Sequence, residues 1–189
     1  SSNSAALNQK ILSLANLMNG ADYIGTKDRL NYFNGTGFPK GVNWCGYYVD
    51  WILNKAYAEV GIDVNLPDRG TLSMATNTAD AYYKEGYGTY FGFTRWYYEG
   101  NNTYDYYPTG NRNSYTPKVG DILLIETNFE NNDNGTSDGP DHLGVIIEVY
   151  TDGSFRSSEG NTGNSDATLS KVSQHTYKNI DGIWYRNGN

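Results

Sequence analysis

The sequence predicts an α+β domain in which N-terminal helices precede and pack on a small antiparallel β-sheet. Apolar residues recur at helical spacing near the start of the chain, at Leu7, Ile11, Leu14 and Met18. After Pro117 the apolar residues instead form short strand-like runs separated by Gly-containing turns. Helices followed by neighbouring short strands are typical of the α+β class.

Length and charge limit the organisation and the partners. The 189 residues suit one domain, and no linker divides them. We therefore expect a single domain over 1–189, with an N-terminal helix in 1–19 and a Tyr-rich insertion at 82–115. The net charge of −7 argues against nucleic acid as a partner, because phosphate binding needs a basic surface. No stretch has the apolar length that membrane insertion requires.

The only cysteine lies where a second helix is predicted to begin. Asn43 is a good N-cap and Gly61 a good stop, which predicts a helix from Trp44 to about Val60. Cys45 then lies in the first turn, where the helix dipole and free N–H groups favour a thiolate. The same N–H groups can stabilise an oxyanion. The alternative interpretation makes Cys45 a small core residue on the apolar face of this helix.

Short strands are predicted in the second half of the chain, and a histidine begins one of them. His142 precedes the apolar run that follows it, and Gly144 leaves room beside its ring. An imidazole at that position suits a thiolate–imidazolium pair, although a strand-end histidine is often only structural. His175 lies in a polar stretch and is interpreted as a surface residue. The predicted strands are Asp121–Ile125, Leu143–Tyr150, Phe155–Glu159 and Ile183–Arg186.

A catalytic imidazole needs an acceptor on its second nitrogen. The turn TDGS predicts a hairpin that returns the chain beside His142. Glu159 and Asn161, in SSEGNTG, are the candidate acceptors. Their alternative interpretations are a solvated strand end and a turn residue.

Four segments together resemble one family. WCGYYVDWILNKAYAEVGI, KVGDILLIE, DGPDHLGVIIEV and SSEGNTG occur in the order and spacing of the CHAP family, the cysteine, histidine-dependent amidohydrolases/peptidases. The resemblance covers about residues 20 to 186 and implies a papain-like fold. By this resemblance Cys45 matches the nucleophile, His142 the general base and acid, and Glu159 the residue that orients the imidazole. Asn161 matches a polar residue that supports the same side of the site.

The resemblance implies a peptidoglycan hydrolase. Members of the CHAP family often serve as catalytic modules of phage endolysins and bacterial wall hydrolases. They cleave stem-peptide, cross-bridge or muramoyl-L-alanine amide bonds. Such a chain acts outside the cell, as a secreted or phage-derived protein, and is expected to be a monomer attached to a separate wall-binding domain. The alternatives are a thiol acyltransferase or toxin-type amidase on the same scaffold, and a non-catalytic module that binds wall glycan or peptide.

The Tyr-rich insertion is long for this family. One interpretation is a loop-rich segment folded on its own aromatic side chains, and the other is a cleft wall whose rings stack on substrate. Trp44, Tyr82, Trp96 and Tyr97 are the candidate substrate-binding residues.

No cofactor is required by the chemistry, but calcium has a candidate loop. Some CHAP members bind calcium, and ENNDNGTSDGPD is rich in oxygen ligands. Asp133, Asp138 and Asp141 are the candidates for this site. The alternative is a solvated hairpin tip held by Asx-turns.

Overall fold

A computed structural model describes residues 2–22, 42–88, 95–98, 102–105, 116–125, 141–180 and 183–187. Four α-helices lie in these ranges: α1 (Ser2–Met18), α2 (Cys45–Val60), α3 (Arg69–Leu72) and α4 (Ala75–Lys84). The strands are β1 (Arg95–Tyr98), β2 (Asn102–Asp105), β3 (Ile122–Ile125), β4 (His142–Val149), β5 (Phe155–Thr162), β6 (Lys171–Ile180) and β7 (Ile183–Asn187), and a short 3₁₀ helix spans Ala167–Leu169. None of the helices in these ranges is long and apolar enough to cross a membrane.

The main sheet is an antiparallel meander. Its five strands lie in the order β3-β4-β5-β6-β7, and each strand pairs with its neighbour in sequence. β1 and β2, inside the Tyr-rich insertion, form a separate two-stranded sheet. The α+β prediction, with helices before an antiparallel sheet, is confirmed.

One face of the sheet carries the helices. α1 packs on α2, and α2 packs on β4 and β5. Period-2 alternation sends Leu143, Val145 and Ile147 of β4 to this side, where they join the main hydrophobic cluster. The helical members of that cluster recur at intervals of three and four residues, as an amphipathic face requires. They include Ile11, Leu14, Ala15, Met18, Tyr48, Val49, Ile52, Leu53 and Ala56.

The opposite face holds a smaller apolar cluster. Ile146, Phe155 and Tyr177 are its buried members, and residues of β3 pack against them. This face also receives His142, because His142 pairs with Ile125 of β3 and paired residues share a face.

Helix α2 begins one residue later than the sequence predicts. Trp44 is the N-cap, without a side-chain capping hydrogen bond, and Cys45 is the first helical residue. The prediction that Asn43 caps the helix is therefore wrong, because the Asn43 side chain accepts a hydrogen bond from Asn161 instead. The predicted end is confirmed: Gly61 has φ 76° and its N–H reaches back to the last turn.

Strand β6 was not expected from the sequence. Its segment KVSQHTYKNI is largely polar, so it lacks the apolar alternation that marked β4. The structure pairs it with β5 through a register that includes Ser157↔His175 and Phe155↔Tyr177. β6 therefore places His175 and Tyr177 beside β5, on the face that carries His142.

Candidate active site

The first turn of α2 and the start of β4 bring Cys45 and His142 together. The Cys45 side chain lies beside the His142 imidazole, and the backbone N–H groups of Leu143 and Gly46 also lie close enough to influence the pKa of its thiol. Cys45 is only 4% exposed and belongs to the main apolar cluster. Its burial is that of a core residue, but an imidazole and backbone N–H groups lie beside it.

The surroundings of Cys45 favour the thiolate. Burial is the largest single influence and opposes the charged form. The hydrogen bond and positive charge of His142, with the N–H groups of Leu143 and Gly46, outweigh burial and lower the pKa of Cys45 below its ordinary value. A thiol that only filled space in an apolar core would have a raised pKa.

The imidazole of His142 is favoured in its protonated form. Burial is again the largest influence and favours the neutral ring. The hydrogen bonds and charges of Cys45 and Glu159 outweigh it, so the pKa of His142 is raised. Because Nε2 lies 2.8 Å from Glu159 Oε1, Nδ1 is the ring nitrogen left for the sulfur.

Glu159 is the acceptor that orients the imidazole, and it is fully buried. Oε1 accepts from His142 at 2.8 Å, while Oε2 accepts from Ser157 Oγ at 2.5 Å and from Tyr177 OH at 2.9 Å. A buried carboxylate without partners is costly, and these three donors satisfy this one. The sequence indicated Glu159, but not Ser157 or Tyr177.

Gly144 makes the contact between β4 and Glu159 sterically allowed. A Cβ at position 144 would lie 2.7 Å from Glu159 Cγ and 3.3 Å from Ser158 O. From the sequence, this glycine is predicted to leave room beside the imidazole. The room is taken by the Glu159 side chain.

The Asn161 side chain forms its hydrogen bonds with Ser170 and Asn43, and not with the other candidate catalytic residues. It has φ +60°, a left-handed conformation that asparagine tolerates better than most residues. Its Oδ1 accepts from Ser170 Oγ at 2.8 Å, and its Nδ2 donates to Asn43 Oδ1 at 3.1 Å. Asn161 therefore holds the segment that leads into Cys45.

The prediction that Trp44 contacts substrate is wrong. Trp44 is 0% exposed, and its indole N–H donates to Ala167 O at 2.9 Å and to Ser170 Oγ at 2.8 Å. Its ring fills space under Gly160, where a Cβ would lie 2.8 Å from Trp44 Cζ3. Trp44 anchors the start of α2 to the segment before β6.

Tyr82 lies away from the other site residues. Its ring packs on Tyr87 with centroids 6.2 Å apart, and burial, with the charges of Tyr57, Asp121 and Tyr87, raises its pKa to about 12. Tyr57 follows Cys45 by twelve residues of one helix, which is about 18 Å along the axis. Tyr82 is therefore not beside Cys45, and its assignment to substrate binding stays a prediction.

The remaining substrate and metal candidates are only partly described. Trp96 and Tyr97 lie in β1, and their side chains fall outside the described part of the structure. Asp133 and Asp138 also fall outside it, while Asp141 is exposed and its N–H donates to Ile125 O. Among the described residues, no group of three His, Cys, Asp or Glu is placed to hold a metal ion. The calcium site therefore stays a prediction.

His175 is not the surface residue that the sequence indicated. It is 9% exposed, and its Nε2 shares a hydrogen bond of 2.8 Å with Ser173 Oγ. The local sequence is polar, but β6 is an inner strand covered by its neighbours. The strand-favouring residues Val172, Thr176 and Tyr177 were the signal available for this strand.

No protein-family model, curated protein or solved structure matches this chain.

Proposed function

We propose that this chain is a CHAP-type cysteine amidohydrolase that cleaves an amide bond in bacterial peptidoglycan. The observation that carries the proposal is the placement of Cys45 beside His142, whose imidazole is hydrogen-bonded to the buried carboxylate of Glu159. This is the arrangement that a thiolate nucleophile, a general acid–base and an orienting carboxylate require.

The first step is attack on the substrate carbonyl. The Cys45 thiolate adds to the amide carbon, and the carbonyl oxygen becomes an oxyanion. The protonated His142 then donates its proton to the leaving amine as the C–N bond breaks. The products of this half-reaction are a free amine, a thioester on Cys45 and a neutral imidazole, which Glu159 keeps in orientation.

The oxyanion needs donors beside the nucleophile. The first N–H groups of α2 have no intrahelical partner and supply one donor. Asn43, two residues before Cys45, is the candidate for the second donor, because its Oδ1 already accepts from Asn161 and its amide nitrogen is the donating end. Ser170 fixes the amide orientation of Asn161 by donating to its Oδ1.

Water completes the cycle. Neutral His142 takes a proton from a water molecule, and the resulting hydroxide attacks the thioester carbon. The collapse of the second tetrahedral intermediate releases the carboxylic acid and restores the thiolate–imidazolium pair. The net reaction is hydrolysis of one amide bond.

The wall substrate is supported by the resemblance of the four segments to CHAP wall hydrolases. It places the site of action outside the cell, in a secreted or phage-derived protein. The chain's net charge of −7 gives no attraction to an anionic wall. Wall binding would then come from a separate domain or from the aromatic insertion.

Muropeptide mass spectrometry tests this function. Purified peptidoglycan is incubated with the protein, with Cys45→Ala and with Tyr48→Phe, a buried control variant on the helix side of the sheet. New amine and carboxyl ends should appear with the unmodified protein and Tyr48→Phe only, and their masses identify the bond. Wall cleavage retained by a folded Cys45→Ala variant would contradict the proposal.

The same experiment separates the two alternatives. Acyl–amine products formed when an amine acceptor is added would indicate a thiol acyltransferase. Wall binding without new ends would indicate a non-catalytic module.

A further inference from the structure

We propose that Tyr177 and Ser157 are positioning residues that hold Glu159 for the imidazole of His142. The inference rests on the proposed function, because it presumes that Glu159 orients a catalytic imidazole.

The two oxygens of Glu159 have separate partners. Oε2 receives both hydroxyl donors, Ser157 Oγ at 2.5 Å and Tyr177 OH at 2.9 Å. Oε1 receives His142 Nε2 at 2.8 Å. Two donors on one oxygen fix the rotation of the carboxylate plane, so that the other oxygen stays directed at the imidazole.

Both donors are themselves held firmly. Ser157 and Glu159 are two residues apart on β5 and share a face. Tyr177 comes from β6, is 5% exposed, and its ring stacks on Phe155 at 5.1 Å between centroids with 19° between planes. The phenol ring cannot turn its hydroxyl away without breaking that contact.

The network has other titratable groups near it. Cys45 of α2 lies beside His142 of β4, β6 brings His175, and Arg186 of β7 pairs with Tyr177 across the strands. His175 is two residues from Tyr177, and its Nε2 shares a hydrogen bond with Ser173, which pairs with Glu159 across the strands. The described residues of β3 are Ile122, Leu123, Leu124 and Ile125, so that strand adds no charge.

Removal of the Tyr177 hydroxyl should weaken the whole relay. Oε2 would lose one of its donors, and the buried carboxylate would be less stable as an anion and freer to rotate. Glu159 would then stabilise the His142 imidazolium less, and the imidazolium would in turn stabilise the Cys45 thiolate less. The effect must therefore appear at Cys45, although Tyr177 does not bond it.

The test is the pH dependence of Cys45 alkylation by iodoacetamide, followed by intact mass. The chain has one cysteine, so the signal reports that thiol alone. Tyr177→Phe should raise the alkylation midpoint by about one pH unit and lower kcat about tenfold, with KM unchanged. Tyr48→Phe is the matched control, because it also removes a buried hydroxyl bonded to a β5 serine, Ser158, at 2.8 Å. It should lower the melting temperature and leave the midpoint unchanged.

Two further variants separate positioning from a structural role. Ser157→Ala should shift the midpoint in the same direction as Tyr177→Phe, and it serves if the tyrosine variant does not fold. In a Glu159→Gln background, Tyr177→Phe should cause little further shift of the alkylation midpoint. An unchanged midpoint in both single variants, or an equal shift in the Glu159→Gln background, would overturn the inference. An ordinary thiol profile in the unmodified protein would instead count against the proposed function.

Discussion

The two faces of the sheet use the same kinds of residues for different purposes. Adjacent serines on β5 point to opposite sides, and each bonds to a buried partner. Ser158 shares a hydrogen bond with Tyr48 under α2, whereas Ser157 donates to Glu159 on the other face. Glycines are divided in the same way: Gly160 leaves room for Trp44 and Tyr48, and Gly144 leaves room for Glu159.

The difference is in what the polar groups connect. On the helix face the hydrogen bond between Tyr48 and Ser158 ends among apolar side chains, and it stabilises packing. On the other face the bonds from Tyr177 and Ser157 continue through Glu159 to His142. Loss of the Tyr48–Ser158 hydrogen bond should therefore reduce stability, whereas loss of a donor to Glu159 should reduce activity.

The largest expected effect separates the two histidines. His142→Gln removes the group that charges Cys45 and protonates the leaving amine, so amide cleavage should fall by about 10⁴-fold or more. His175→Gln loses a hydrogen bond to Ser173, which should cost about 1 kcal/mol of unfolding free energy. The cleavage rate per folded molecule measures the first effect, and urea unfolding curves measure the second.

Loss of cleavage in a folded His175→Gln variant would remove the distinction between the two histidines. It would indicate that the relay extends along β6 beyond Tyr177.

The two glycines provide the next comparison. Gly144→Ala should displace Glu159, and a misplacement of about 1 Å in a catalytic group can cost about 100-fold in rate. Gly160→Ala should instead crowd Trp44 and Tyr48 and cost about 1–3 kcal/mol of stability, with most activity kept in the folded fraction. The cleavage rate constant of each variant measures its loss of activity, and the melting temperature measures its loss of stability.

Equal loss of activity in both glycine variants would contradict the separation of the faces. A smaller residue at position 159 should not restore the activity of Gly144→Ala, since no shorter side chain restores the contact with His142.

The sequence predicted the part of the site that lies in strongly patterned elements. Cys45 follows a helix signal, His142 begins an apolar strand, and Glu159 lies on the return strand of a hairpin. Each can be placed because local periodicity and a turn signal determine its neighbours.

The supporting residues could not be predicted in this way. Tyr177 acts from β6, whose polar segment gives little periodic signal, and its contact with Glu159 depends on the register between β5 and β6. Trp44 was misassigned because an aromatic beside a nucleophile resembles a substrate contact. Its burial is set by Ala167 and Ser170, which lie over 120 residues further along the chain.

The pH window of the site follows from the two shifted pKa values. Because the pKa of Cys45 is lowered, the thiolate persists above that lowered value and is lost as the pH falls through it. Because the pKa of His142 is raised, the imidazolium is present below that raised value and is lost as the pH rises through it. The reactive pair exists between the two, so kcat/KM should have a broad bell-shaped pH dependence.

The rate of Cys45 alkylation against pH in the unmodified protein shows whether Cys45 is a reactive thiolate, and it needs no substrate. The midpoint should lie well below the value of about 8.5 that is usual for a free thiol, and it should return toward that value in His142→Gln. A midpoint at or above about 8.5, unchanged by His142→Gln, would show that Cys45 is a buried core thiol and not a nucleophile.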